Sequence, residues 1–116
     1  MASNFAAPGE IVDVLAPYDR TSGQGCLVGQ LFGICLNTAL SGEALSLQVV
    51  GSHKDVAKLS AQAWTVGACL YWDNTNKRLT TVASGNTLVG CATAIAANPS
   101  ATGNIRLNGA VRPAEA

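Results

Sequence analysis

Apolar residues along this chain recur with a period of two, and Gly, Asn, Asp or Pro interrupts them every 8 to 15 residues. A period of two matches a strand with one face turned to a core, whereas a helix needs a spacing of about 3.6. No long amphipathic helical stretch appears. The 116 residues suffice for one compact core and leave no room for a second domain. The pattern therefore predicts a mainly β, small single-domain fold. It should be a barrel or sandwich of short antiparallel strands with at most one short helical turn. Residues 1–9 read as an N-terminal arm, 10–112 as the β domain and 113–116 as a C-terminal tail.

Glu10 to Ala16 reads as the first strand, opened by Pro8-Gly9 and closed by Pro17, with Asp13 on its solvent side. Asp19 to Gly25 is a polar loop. Cys26 to Asn37 is apolar but broken by Gly29 and Gly33, which predicts two short strands or one bent one. From Ala44 to Gly51, Leu45, Leu47 and Val49 share one face, and His53-Lys54-Asp55 follows as a charged turn. Ser60 to Trp64 could make one helical turn with Ser60 as its N-cap. Ala68 to Trp72 and Lys77 to Val82 form a hairpin around Asp73-Asn74-Thr75-Asn76. Gly85-Asn86 opens a strand with Leu88, Gly90 and Ala92 on one side and Val89, Cys91 and Thr93 on the other. The last strand, Asn104 to Val111, places Ile105, Leu107, Gly109 and Val111 together.

No stretch approaches the roughly 20 apolar residues of a membrane span, and the start lacks a secretory pattern. The expected setting is a reducing cytoplasm. Cys26, Cys35, Cys69 and Cys91 are 9, 34 and 22 residues apart, with no Cys-x-x-Cys pair to nucleate a metal site. Each stands among small or aliphatic neighbours. That favours core thiols over a Cys26–Cys35 cross-strand disulfide or a metal.

Charge is the next constraint. Seven basic and seven acidic residues cancel, so the chain lacks the cationic surplus that holds a phosphate backbone. Charged residues make up 12%, against about 25% in an ordinary soluble domain. So little charge does little to keep copies apart, which predicts a surface partly covered by other chains. Nucleotide chemistry finds no footing. Gly23-x-Gly25 is followed by Val28 where a dinucleotide fingerprint needs its third Gly, and no Gly-Lys pair exists for a phosphate loop. The single His, His53, lies near Ser52 and Asp55, but triad partners come from separated segments, so it reads as an exposed turn residue. The seven carboxylates show no acid–base spacing, and 73–76 lacks the Gly and Glu of a calcium loop. No catalytic, cofactor or metal residue is expected. Trp64 reads as a core plug. Tyr71 and Trp72 point to opposite faces of one strand, so one should be core and the other is a candidate for partner contact.

Several segments in order resemble the small phage capsid cement proteins. They are Asn4-Phe5, Pro8-Gly9-Glu10, Gly67-Ala68-x-Leu70-Tyr71-Trp72-Asp73, Lys77-x-Leu79-Thr80, Gly85-x-x-Leu88-x-Gly90-x-Ala92 and Ile105-Arg106-Leu107-Asn108-Gly109. The resemblance runs from about residue 4 to 109. It implies a non-enzymatic structural protein that binds the outer surface of a phage head, with the major capsid protein and further copies of itself as partners. A trimer is the favoured oligomer, and neither nucleic acid nor membrane is a partner. It further implies synthesis in the bacterial host cytoplasm and residence on the virion. Asn4, Phe5 and Pro8 of the arm, with Tyr71 and Trp72, are the expected contact residues. Members of the family are often labelled as predicted recombinases of the RecA/RadA type, and the missing phosphate loop and zero net charge oppose that label here. The competing reading, a DNA-binding or recombination accessory protein, predicts salt-dependent DNA retention. A third reading, a small enzyme, would need polar groups converging across a subunit interface.

Overall fold

The computed structural model describes residues 9–115. Among the described residues, nine strands run β1 (Ile11–Leu15), β2 (Gly25–Val28), β3 (Leu31–Cys35), β4 (Ala44–Gln48), β5 (Val50–Ala57), β6 (Cys69–Asp73), β7 (Arg78–Thr80), β8 (Thr87–Ala92) and β9 (Thr102–Asn108). They form two antiparallel sheets, a four-stranded one in the order β1-β4-β3-β2 and a five-stranded one in the order β5-β9-β8-β6-β7. The fold is the expected all-β one, in sandwich-like rather than closed-barrel form.

The apolar run from Cys26 to Asn37 becomes a tight hairpin. Gly29 adopts φ +62°, which suits a two-residue turn, and β2 returns as β3. Phe32 and Ile34 of β3 face one core, and Cys35 faces another. Burial on both faces explains why this strand is apolar without alternation. The larger core gathers Val56, Trp64, Leu70, Trp72, Leu79, Val89, Ile105 and Leu107 from the five-stranded sheet and its loops. Phe32 and Trp72 join the two sheets, their ring centroids 5.0 Å apart. The smaller core holds Cys26, Cys35, Leu45, Leu47 and Val49, with Val12 and Val14 packed against it. Leu45, Leu47 and Val49 thus share a buried face as predicted.

The five-stranded sheet curls until its edges meet at one end. Lys58, just past β5, pairs in parallel with Leu79 of β7, and the Leu59 N–H donates to the Leu79 carbonyl at 2.8 Å. Within the sheet, β8 carries an extra residue, because Leu88 opposes Tyr71 while Gly90 opposes Leu70. A bulge of this kind turns two successive residues to the same side. Val89 and Gly90 are accordingly both buried, and the strict alternation predicted for this strand breaks. Gly90 also lies so close to β9 that an added Cβ would stand 2.0 Å from the Arg106 carbonyl oxygen.

Four local expectations are corrected. His53-Lys54-Asp55 is no turn but part of β5, which pairs with β9 and kinks through a bulge between His53 and Val56. Asp55 takes φ +58° there, and its N–H donates to Asn104 Oδ1 at 3.2 Å. Ser60 to Trp64 forms no helical turn. The Ser60 carbonyl that would accept the Trp64 N–H instead accepts from Ser100, and Trp64 pairs with Ala96 at 2.9 Å. Val111 is exposed, because Gly109 at φ +68° turns the chain away after β9. Cys69 is exposed and Cys91 only part-buried, so two of the four cysteines are not core thiols.

Candidate functional site

Polar chemistry fails to converge where the sequence offered it. His53 is half-buried in β5 with its Nε2 3.4 Å from the Val50 carbonyl, while Ser52 precedes it on the opposite face of the strand. Among the described residues, no group of three His, Cys, Asp or Glu side chains could hold a metal. The structure contains free thiols at all four cysteines. Cys26 and Cys35 are buried side by side, and the Cys35 thiol is pushed up by its hydrogen-bonding contact with Cys26 and by burial. The same contact lowers the Cys26 thiol to about 7, while burial keeps both sulfurs from solvent.

Two polar clusters escaped sequence reasoning. In one, Lys58 is 4% exposed and its Nζ donates to the carbonyls of Leu59 at 3.0 Å, Ser100 at 3.1 Å and Gln62. It also lies 5.4 Å from the centre of the Trp64 ring. Burial lowers the pKa of this amine. Nothing in the string Ala57-Lys58-Leu59 signals a buried ammonium, because two of its acceptors, Gln62 and Ser100, lie outside the string and Ser100 is brought to it only by the fold. In the other cluster, Asn74 Oδ1 accepts from the Tyr18 hydroxyl and from Trp72 Nε1, both at 3.1 Å. Arg20 and Lys77 approach the Tyr18 ring at 5.1 and 4.4 Å. Burial and loss of solvation raise the Tyr18 phenol to about 12. Both clusters tie loops together; neither presents a nucleophile to a cleft.

The remaining candidate is surface. Of the two paired aromatics, Trp72 is 1% exposed and belongs to the core, while Tyr71 reaches the outer face of the five-stranded sheet. Asn4, Phe5 and Pro8 lie outside the described residues. The strand edges differ sharply. β2 is capped, because the Leu27 N–H donates to the Tyr18 hydroxyl and Arg20 donates to the Gly25 carbonyl, each at 3.1 Å. β5 and β7 meet each other at Lys58 and Leu79. β1 pairs with β4 through register Ile11–Gln48 to Leu15–Ala44, and its other edge carries no partner among the described residues. Its outward side chains are Ile11, 52% exposed, Asp13 and Leu15, 66% exposed. Asp13 accepts from Ser46 Oγ of β4 at 2.7 Å, and exposed Leu36 continues the same row, its N–H donating to the Ser46 carbonyl. Leu40 adds another exposed apolar side chain in the β3–β4 connection. An unpaired strand edge beside exposed aliphatic residues invites contact with another chain.

A family model described as phage cement protein matches residues 6–107. The chain belongs to the phage cement protein family. The match covers nearly the stretch over which the sequence resembles that family, and its description carries no recombinase label. No curated protein and no solved structure matches the chain. Membership makes this a structural protein of the phage capsid. In the setting of a cement protein, a site made of contact area rather than of reactive groups is the expected kind.

Proposed function

We propose that this cement protein decorates the outer surface of the phage head and stabilises it by contact with the major capsid protein, as a homo-oligomer for which a trimer is favoured. The observation that carries the reading is the outer edge of β1, unpaired among the described residues and flanked by exposed Ile11, Leu15 and Leu36. A strand of a capsid subunit can add to that edge by main-chain hydrogen bonds while the aliphatic side chains bury against it. Residues 1–8 precede β1 in sequence, and Asn4, Phe5 and Pro8 are proposed to add to the same contact. Tyr71 belongs to a second face. Zero net charge supports protein contact over DNA retention.

The test is attachment to purified heads. Wild-type protein should be present in particles in fixed stoichiometry with the major capsid protein. A double variant Ile11→Lys, Leu15→Lys should bind at least about tenfold more weakly, as loss of a single aliphatic contact of about 1.4 kcal/mol already predicts. Because both side chains are exposed, its thermal midpoint should stay close to that of the wild type. Absence of the protein from particles overturns the reading, and unchanged attachment of the double variant overturns the role of β1.

A further inference from the structure

Cys69 and Cys91 stand directly opposite each other on neighbouring strands of the five-stranded sheet. The Ala92 N–H donates to the Ala68 carbonyl at 2.9 Å. This bond places Cys69 and Cys91 at a non-hydrogen-bonded position of the antiparallel ladder, where facing Cα atoms are about 4.5 Å apart and side chains are closest. That separation lies within the roughly 4.4–6.8 Å range that a disulfide spans without backbone movement. Directly paired residues project to the same side of a sheet, and here that side is solvent: Cys69 is exposed and Cys91 part-exposed, while Leu70 and Ala92 next to them are buried. Arg106 of β9 is the Cα partner of Cys91 on its other side and is exposed. The row on this face therefore reads thiol, thiol, guanidinium. The Cys26 and Cys35 sulfurs, by contrast, are buried away from any reagent.

We propose that Cys69 and Cys91 are a redox pair that closes a reversible cross-strand disulfide by exchange with a small anionic disulfide of the glutathione type. The more exposed Cys69 attacks first as its thiolate. A bond forms between its sulfur and one sulfur of the small disulfide, whose own S–S bond breaks and releases one thiolate. The Cys91 thiolate then attacks the Cys69 sulfur, and the second small thiolate leaves. In sum, two protein thiols and one small disulfide become one protein disulfide and two small thiols. The two electrons and two protons given up by the cysteines end on the small thiols. Arg106 supplies a positive charge where the carboxylates of such an oxidant approach. The closed bond joins β6 to β8 and encloses the β7 hairpin, which constrains the unfolded chain and stabilises the folded one.

The experiment treats the whole protein with glutathione disulfide and maps cross-linked peptides under non-reducing conditions. The expected product is a Cys69–Cys91 linkage with Cys26 and Cys35 still free. The thermal midpoint should rise by about 12 °C, return on addition of dithiothreitol, and stay unchanged in Cys69→Ser and Cys91→Ser. Arg106→Ala should slow closure by glutathione disulfide about threefold at low salt and leave closure by a neutral disulfide unaffected. Persistence of both free thiols, a stable mixed disulfide on Cys69 alone, or a linkage through Cys26 or Cys35 would each overturn the pair. An unchanged rate in Arg106→Ala would overturn the part given to Arg106.

Discussion

Lys58→Met is the most informative single change. Methionine keeps the length of the stem and its packing beside Trp64 but removes the ammonium that three backbone carbonyls share. Those carbonyls belong to Leu59, Gln62 and Ser100, in two loops that cross at the end of the large core. A charge-assisted hydrogen bond contributes about 1.5–3 kcal/mol, and a buried acceptor left without a donor costs about 1–3 kcal/mol. Methionine recovers part of this, because the cost of burying a charge disappears as well. If water reaches one of the three carbonyls, the net loss is about 3 kcal/mol. Unfolding entropy of roughly 2.1 cal/mol/K per residue converts that loss into a fall of about 12 °C in Tm for a chain of this length. Calorimetry on both proteins in the same buffer measures it directly. Retention of the wild-type Tm to within 2 or 3 °C (about the shift expected from less than 1 kcal/mol) would show that the ammonium is not what holds the loops, and the reasoning would fail.

Gly90→Ala should be more damaging than its size suggests, because the new methyl would lie 2.0 Å from the Arg106 carbonyl and β8 must separate from β9. A loss above about 3 kcal/mol is expected in a thermal or urea melt, and a near-wild-type melt would contradict the close approach. Asp73 sets a pH dependence. Hydrogen bonds from the Asn76 side chain at 2.8 Å, and from the Thr75 and Asn76 N–H groups, hold its carboxyl below the ordinary range. The unfolded chain titrates near 3.9. The contribution is therefore complete above that pH and is lost as pH falls through the folded value. Asp73→Asn should cost about 1 kcal/mol at pH 7 and progressively less below about pH 4, so parallel melts of the two proteins should converge in acid.

The strands readable in the sequence were those with clean alternation or firm punctuation. β1 lies between Pro8-Gly9 and Pro17, the β2–β3 hairpin turns on Gly29, and β6 and β7 flank a turn of Asp and Asn. β5 was hidden because His53, Lys54 and Asp55 are polar, and the bulge that leaves Lys54 and Asp55 without register partners in β9 lets the pairing resume at Val56. Cysteine placement misled for a related reason. Leu70 and Ala92 are apolar because they face inward, and period two then turns Cys69 and Cys91 outward. The family resemblance was legible from motif order. The surface that could serve it was not, since capping of β2 by Tyr18 and Arg20 and the meeting of β5 with β7 depend on contacts remote in sequence.

Among the described residues, the outer edge of β1 is the one met by neither a capping side chain nor a bridge to another strand. A capsid strand seated along β1, as proposed above, would occupy that edge, and so would a second copy pairing there; the two cannot coexist at one site. Copies assembled on a shell would then be held through other parts of the molecule. The neighbouring loops that carry exposed Val66 and Ile95, reached through the Trp64–Ala96 pairing, offer apolar area that a strand bound at β1 leaves uncovered.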